Sequence, residues 1–250
     1  MSLSLVAIAG IPAVRPGDDL PALLVDAVDR LGIQPADGDI YVVCQKVVSK
    51  AEGRIARLAE IEPSSFALTI ASQTNGKDPR IIEVILREST RIVRMDRGHL
   101  IVETGPGWVC ANAGVDESNA LEADSVILLP ADPDASAARI REAFARRHRA
   151  DVAVLITDTF GRPWREGLVD FALGVAGMEP MLDLRGQTDM NGRELHHTVM
   201  AQADALAAAA GLLMTKGDGI AAVLIRGYRY RPAAGTARPL VRAREMDLFR

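Results

Sequence analysis

Cysteine is nearly absent: Cys44 and Cys110 are the only two in 250 residues, each lies in an apolar run, and neither has the spacing of a metal-ligand set. Two isolated thiols exclude a disulfide framework and suit a reducing compartment, so the expectation is a cytoplasmic protein with both thiols buried and reduced. No apolar run approaches the roughly 20 residues of a membrane-spanning helix, and the start "MSLSLVAIAGIP" has neither the basic leader nor the small-residue cleavage site of an export signal. A Ser/Gly/Pro linker, a low-complexity tract and a fixed-period repeat are also missing, so one domain over residues 1–250 is expected, with room for two lobes. The net charge is −4, and the basic residues are scattered apart from "RIREAFARRHR" and "RGYRYRP", which excludes a nucleic-acid footprint.

The missing motifs limit the chemistry as well. There is no Walker-type loop, no nucleophile elbow and no His/Cys metal motif, so any bound nucleotide sits on a scaffold outside those patterns.

What is present is ordinary globular material, 48% hydrophobic and 25% charged, long enough to bury a sizeable core. Strand patterns run through "LVAIAG", "DIYVVCQKVV", "RIVRM", "HLIVET", "WVCANA", "SVILL", "DVAVLIT", "FALGVAG" and "AAVLIRG". Helical spacing predicts helices over 18–31, 78–88, 134–147 and 194–213, with Asp134 as an N-cap and Gly211 near an end. Three strand patterns follow one another between Thr90 and Ala113 without a helix, whereas a doubly wound sheet needs helical crossovers. The fold class is therefore α+β, with mixed, partly antiparallel sheets and packed helices.

Three polar clusters adjoin apolar strands. In "CQKVVSKAEGR", Lys46 and Lys50 are four apart and share a face in either helix or strand, an arrangement that suits a polyphosphate or, alternatively, the protected edge of a sheet. In "ANAGVDESN", Asp116 and Asn119 offer a hard-cation ligand and an amide, or simply an Asx turn. In "VLITDTFGRPWREG", Asp158 and Thr159 come at the end of a strand pattern, followed by Arg162 and Arg165 across a turn. A carboxylate, a hydroxyl and two guanidiniums describe a metal–phosphate site; ion pairing of the arginines with Glu166 and Asp170 is the plainer alternative. The loop "DLRGQTDMNGREL" lines a pocket or makes a surface connection, and His196 and His197 fall in the first turns of the last helix, without a metal-ligand partner.

In order along the chain, "GIPAVRPGDDL", "KVVSKAEGR", "AGVDESN", "LLPADPDASA", "TDTFGRPWREG", "GVAGMEPMLDLRGQTDMNGREL", "GDGIAAVLIRG" and "DLF" resemble the coenzyme F420:γ-glutamyl ligase family nearly end to end. The resemblance implies an enzyme that adds L-glutamate to the lactyl carboxylate of the deazaflavin cofactor precursor at the expense of GTP, with divalent magnesium or manganese, on a mixed fold assembled as an intertwined homodimer. It further implies nucleotide contacts from Ile11, Pro12, Ala13, Val14, Gln45, Lys46, Lys50 and Asn119. One metal would be held by Asp116 and Asp158, with Thr159 reaching a second, and Lys46, Arg162 and Arg165 would stabilise the transferring phosphoryl group. Where several relatives read Met-Gly followed by Glu or Gln, this chain reads Met214, Thr215, Lys216. An ammonium has no acceptor for a cation, so Lys216 is expected to neutralise phosphate oxygens instead. A metal-dependent nucleotide phosphohydrolase and a non-catalytic deazaflavin-binding protein are the alternatives.

Overall fold

In the computed structural model, which describes residues 2–74, 76–96, 98–118, 124–215 and 217–248, the chain opens with β1 (Ser4–Ala7), α1 (Leu20–Arg30) and β2 (Ile40–Cys44). Asn119 and Lys216 lie outside the described residues. Next come α2 (Gln45–Ala51), β3 (Ile55–Arg57), α3 (Ser65–Ser72), α4 (Pro79–Arg87), β4 (Ser89–Asp96), β5 (His99–Thr104), β6 (Val109–Ala111) and β7 (Ser125–Ile127). Helix α5 (Pro133–His148) leads into a long hairpin of β8 (Ala153–Arg162) and β9 (Arg165–Ala176), then β10 (Leu182–Asp183), β11 (Val199–Met200), α6 (Gln202–Gly211) and β12 (Ala222–Arg226).

The main sheet has the order β1-β12-β2-β8-β9, in which only β2 and β8 are parallel. Its central strands are apolar on both faces because both are covered. Tyr41, Val43, Val154 and Ile156 pack under α1 and α5 with Leu24, Val28, Ile140 and Phe144. Ile40, Val42, Ala153 and Leu155 pack under α6 with Ala203, Leu206 and Ala210. The antiparallel meander β4-β5-β6 has its own core with α3 and α4, built on Ile70, Ile82, Ile85, Leu100 and Val102. The α+β class and the three consecutive strands agree with the sequence pattern.

Several boundaries differ from it, each for a local reason. The strand pattern "DIYVVCQKVV" breaks at Cys44, where the backbone passes directly into α2, so Lys46 and Lys50 lie on a helix and not on a sheet edge. Asp134 is not the cap of α5: Asp132 is, accepting from the Ala135 N–H at 2.9 Å, because Pro133 takes the first helical position. Asp134 reaches out instead and accepts from the N–H groups of Val175 (2.8 Å) and Ala237 (2.9 Å) and from the Thr236 hydroxyl (2.6 Å). The last helix starts at Gln202, not Glu194, because Asp189 closes a turn on the N–H groups of Asn191 and Arg193 and residues 182–200 form the short β10–β11 hairpin. His196 and His197 are exposed in that hairpin rather than helical. Both thiols are free, but only Cys110 is buried as expected; Cys44 is half-buried because it lines a cavity, and desolvation pushes Cys44 up to about 11 and Cys110 up to about 12.

Gly174 in β9 sets how closely α5 approaches the sheet: a Cβ there would lie 2.3 Å from the Pro133 carbonyl oxygen. Gly174→Ala is expected to destabilise the fold by about 1–3 kcal/mol through forced separation of α5 from β9. Denaturant unfolding checks this, and a wild-type midpoint would mean that the helix seats without that contact.

Candidate active site

The site forms where the one parallel pair ends. Cys44, the last residue of β2, pairs with Thr157; beyond that point α2 begins on one side, while β8 runs on alone into its hairpin with β9. The carboxyl end of a parallel pair leaves a crevice, and here it opens into a cavity of about 1710 Å³. Asp158 and Thr159 therefore sit within β8, at its departure from β2, and not at a strand terminus.

Charge on the cavity wall is unevenly matched. The Lys46 ammonium, from the first turn of α2, lies 2.7 Å from Asp116 Oδ2 and donates to Ser118 Oγ at 2.7 Å. Asp116 Oδ1 accepts from the Ser118 N–H at 2.7 Å, so the Asx turn exists and faces the cavity. Burial pushes the Asp116 carboxyl up, but Lys46 and Ser118 outweigh it and hold the group below its usual range. The chain reaches this position through a left-handed turn at Asn112 (φ 53°), Ala113 (φ 54°) and Gly114 (φ 68°). A Cβ at Gly114 would also meet the Leu129 side chain at 2.7 Å.

Lys50 lines the same wall and forms no ion pair among the described residues; burial, and then the neighbouring Lys46, lower its pKa. On β8, burial pushes Asp158 up to about 6, with Asp116 and Asp170 adding to the rise and the Thr159 N–H and Gln45 amide opposing it. The Thr159 hydroxyl donates to Asp170 Oδ1 at 2.8 Å. Asp204, at the start of α6, also lines the cavity, and burial raises its pKa. Among the described residues no cluster of three or more His, Cys, Asp or Glu is arranged to hold a metal by itself. Asp116, Asp158 and the Thr159 hydroxyl are the hard-oxygen groups that this part of the cavity wall offers to a cation.

Most of the residues singled out in the sequence converge here. Ile11, Pro12, Ala13, Val14, Lys46, Lys50, Asp116, Asp158, Thr159 and Arg162 all line the cavity. Gln45 does not: it is 1% exposed, its Oε1 accepts from Ser49 Oγ at 2.8 Å, and its amide is turned toward the Asp158 carboxylate behind the cavity wall. Arg165 pairs with Arg162 across the hairpin turn but is exposed and does not line the cavity. Neither arginine forms the ion pair with Glu166 or Asp170 that the sequence allowed; Arg162 Nη2 donates instead to the Glu166 carbonyl at 3.0 Å. The loop 183–193 is a surface connection in which Asp183 is held by Arg185. Sequence reasoning missed Cys44, Phe160, Trp164, Asp204 and the distant Leu240, Val241, Arg242 and Asp247. The one available signal was Trp164, an aromatic set among charges in "GRPWREG".

The family model described as F420-0:Gamma-glutamyl ligase matches residues 10–227. Among curated proteins, the chain is 47% identical to the coenzyme F420:L-glutamate ligase of Methanothermobacter thermautotrophicus over 253 residues, covering 100% of both chains. It is 47% identical to the Methanopyrus kandleri protein of the same name, over 95% of this chain and 93% of that one. The Archaeoglobus fulgidus protein of that name is 41% identical over 100% and 97%.

The raised Asp158 pKa has a consequence for stability without ligands. With a folded value of about 6 against roughly 3.9 for a free aspartate, the folded state binds the proton more tightly, so stability falls as pH rises through that window. In protein free of nucleotide and metal, Asp158→Asn is expected to add on the order of 1–3 kcal/mol of stability at neutral pH. The gain should vanish below the unfolded pKa, and pH-dependent denaturant unfolding checks both.

Proposed function

The chain belongs to the F420-0:gamma-glutamyl ligase family, and from that membership we propose that it joins L-glutamate to the lactyl carboxylate of the deazaflavin precursor of coenzyme F420, consuming GTP with magnesium or manganese. The observation that carries this reading is the facing of Lys46 and Lys50 by Asp116 and Asp158 in one cavity. At about 1710 Å³ that cavity exceeds the roughly 300–1,000 Å³ typical of a single-ligand pocket, which supports binding of a nucleotide together with a second substrate.

The residues present fit a divalent ion. The Asp158 carboxylate is held in a setting that disfavours its charge, beside Asp116 and Asp170, and a cation is what such a setting lacks. Asp116, Asp158 and Thr159 would hold it, and when bound it offsets triphosphate charge. Lys50, a partly buried ammonium without an acidic partner among the described residues, attracts the phosphates, and Lys46 is within reach of the same group. The loop Ile11–Val14 flanks the nucleotide, and Arg162 faces the phosphoryl oxygens during transfer from GTP to the substrate carboxylate. The glutamate amine then attacks the acyl phosphate and orthophosphate leaves. Positioning and charge do this work, so no nucleophilic side chain is required. Gln45, Arg165, Asn119 and Lys216 keep their proposed roles on sequence alone. We also assign the chain to a homodimer; exposed Met190 and Met200 near the β10–β11 hairpin offer apolar surface for contact between copies.

Mass spectrometry of the deazaflavin precursor incubated with enzyme, GTP, L-glutamate and metal should show added glutamate. GTP consumption without that product would favour a phosphohydrolase, and binding without consumption a carrier. Asp116→Asn is expected to abolish product formation while the protein remains folded by circular dichroism, because the swap keeps volume and removes charge. Lys50→Ala should raise the KM for GTP and lower kcat, a combined loss of about 1.5–3 kcal/mol in kcat/KM. Steady-state kinetics at fixed metal concentration test it, and unchanged GTP kinetics would separate Lys50 from the phosphates.

A further inference from the structure

Helix α2 turns polar side chains inward where apolar ones would serve packing as well. Its buried residues are Gln45, Val48 and Ser49, with Gln45 1% and Ser49 0% exposed. A buried amide and a buried hydroxyl each cost free energy unless they are hydrogen-bonded, so the partners of Gln45 show what it is there for.

Strand register puts Gln45 beside Asp158. The parallel pairing of β2 with β8 ends at Cys44 and Thr157, and the next residue on each chain is Gln45 and Asp158. On its other edge Asp158 remains paired with Phe171 of β9. It is therefore Gln45, and not a further strand residue, that meets Asp158 from the β2 side.

An amide has one accepting end and one donating end. Ser49, one turn along α2, donates its hydroxyl to Gln45 Oε1 at 2.8 Å, although a serine within a helix can instead donate to the carbonyl four residues back. With Oε1 occupied, the NH2 end is the one turned to the Asp158 carboxylate, and it has no other acceptor among the described residues. The reverse orientation would set two acceptors, the amide carbonyl and the carboxylate, against each other. The backbone N–H of Thr159 donates to the same carboxylate. Gln45 lies off the cavity wall and Asp158 lines it, so the amide approaches from behind and leaves the other lone pairs of the carboxylate for the cavity.

We propose that Gln45 and Ser49 are positioning residues for Asp158: the Ser49 hydroxyl fixes which way the Gln45 amide faces, and the amide fixes the direction in which Asp158 presents its carboxylate to a cation. This rests on the reading of Asp158 as a metal ligand. Removing an outer partner of a ligating side chain typically changes metal affinity by about 10–100-fold. The nucleotide contact proposed for Gln45 then falls to its backbone, because its side chain is committed behind the wall.

Gln45→Met keeps the length of the side chain and removes both polar ends. Manganese binding is titrated with a saturating non-hydrolysable GTP analogue, so the readout needs no turnover and no acceptor substrate. Gln45→Met should weaken that binding on the order of ten-fold or more. Ser49→Ala should weaken it by less, and the double variant by no more than Gln45→Met alone, because Ser49 acts through Gln45. The manganese concentration for half-maximal rate should rise in parallel, while the KM for GTP at saturating manganese stays within about two-fold. A purely structural role has a different signature: loosening α2 would move Lys46 and Lys50, lower the thermal midpoint and raise that KM. Such a pattern overturns the proposal, as does wild-type manganese binding by Gln45→Met. Asp158→Asn separates the proposal from the reading beneath it. Loss of manganese in Asp158→Asn with wild-type binding in Gln45→Met removes the proposal alone. Full manganese binding by Asp158→Asn refutes Asp158 as a ligand and takes the proposal with it.

Discussion

The parallel pairing of β2 with β8 is the constraint from which the site follows. In a sheet whose other neighbours are antiparallel, this single pair sends two strands in the same direction toward one edge. One stops at Cys44 and turns into α2, whose first and last turns carry Lys46 and Lys50. The other continues through Asp158 into a hairpin that extends beyond the sheet. Had both strands stopped together, the cations and carboxylates would not share a wall. Had they been antiparallel, the start of α2 would lie at the far end of β8. The hydrophobic packing on both faces of the sheet holds this geometry, since slipping either strand by one residue would exchange the sets buried under α5 and α6.

The electrostatics of the cavity make sense only with a ligand in place. Lys46 satisfies Asp116, but Asp158, Asp170 and Asp204 are all pushed toward their protonated forms by burial, while Lys50 a short distance away is pushed toward its neutral form. Charges of both signs are thus held apart at a cost to stability, which is how a site prepared for a cation and an anion differs from one that has neutralised itself.

Local sequence carried the identity of most wall residues because their chemistry is unusual for where they occur. An ammonium pair at helical spacing after an apolar strand, and an acid with a hydroxyl after another, stand out from a solvated surface. The errors arose where two local signals competed. Asp132 and Asp134 both flank Pro133, and only the packing of α5 against β9 decides which one caps the helix and which one binds the N–H groups of Val175 and Ala237. The stretch before α6 has helical spacing, yet the Asp189 turn pre-empts it, since side-chain acceptors close to the backbone compete with helical hydrogen bonds.

By itself, the sequence determined the α+β class, the antiparallel run of β4 to β6, the two buried strands of the parallel pair, and the residue types available for phosphate and cation chemistry. Those properties depend on periodicity and composition, which are local along the chain. Tertiary structure alone decided that Arg162 faces the cavity and Arg165 does not, that Gln45 is buried beside Asp158, and that Trp164 and the segment at Leu240–Arg242 border the same space. The physical reason is that each of these depends on strand register or on contacts between residues far apart in the chain, and a one-residue change of register inverts which side chains face the cavity while leaving the amino-acid pattern unaltered.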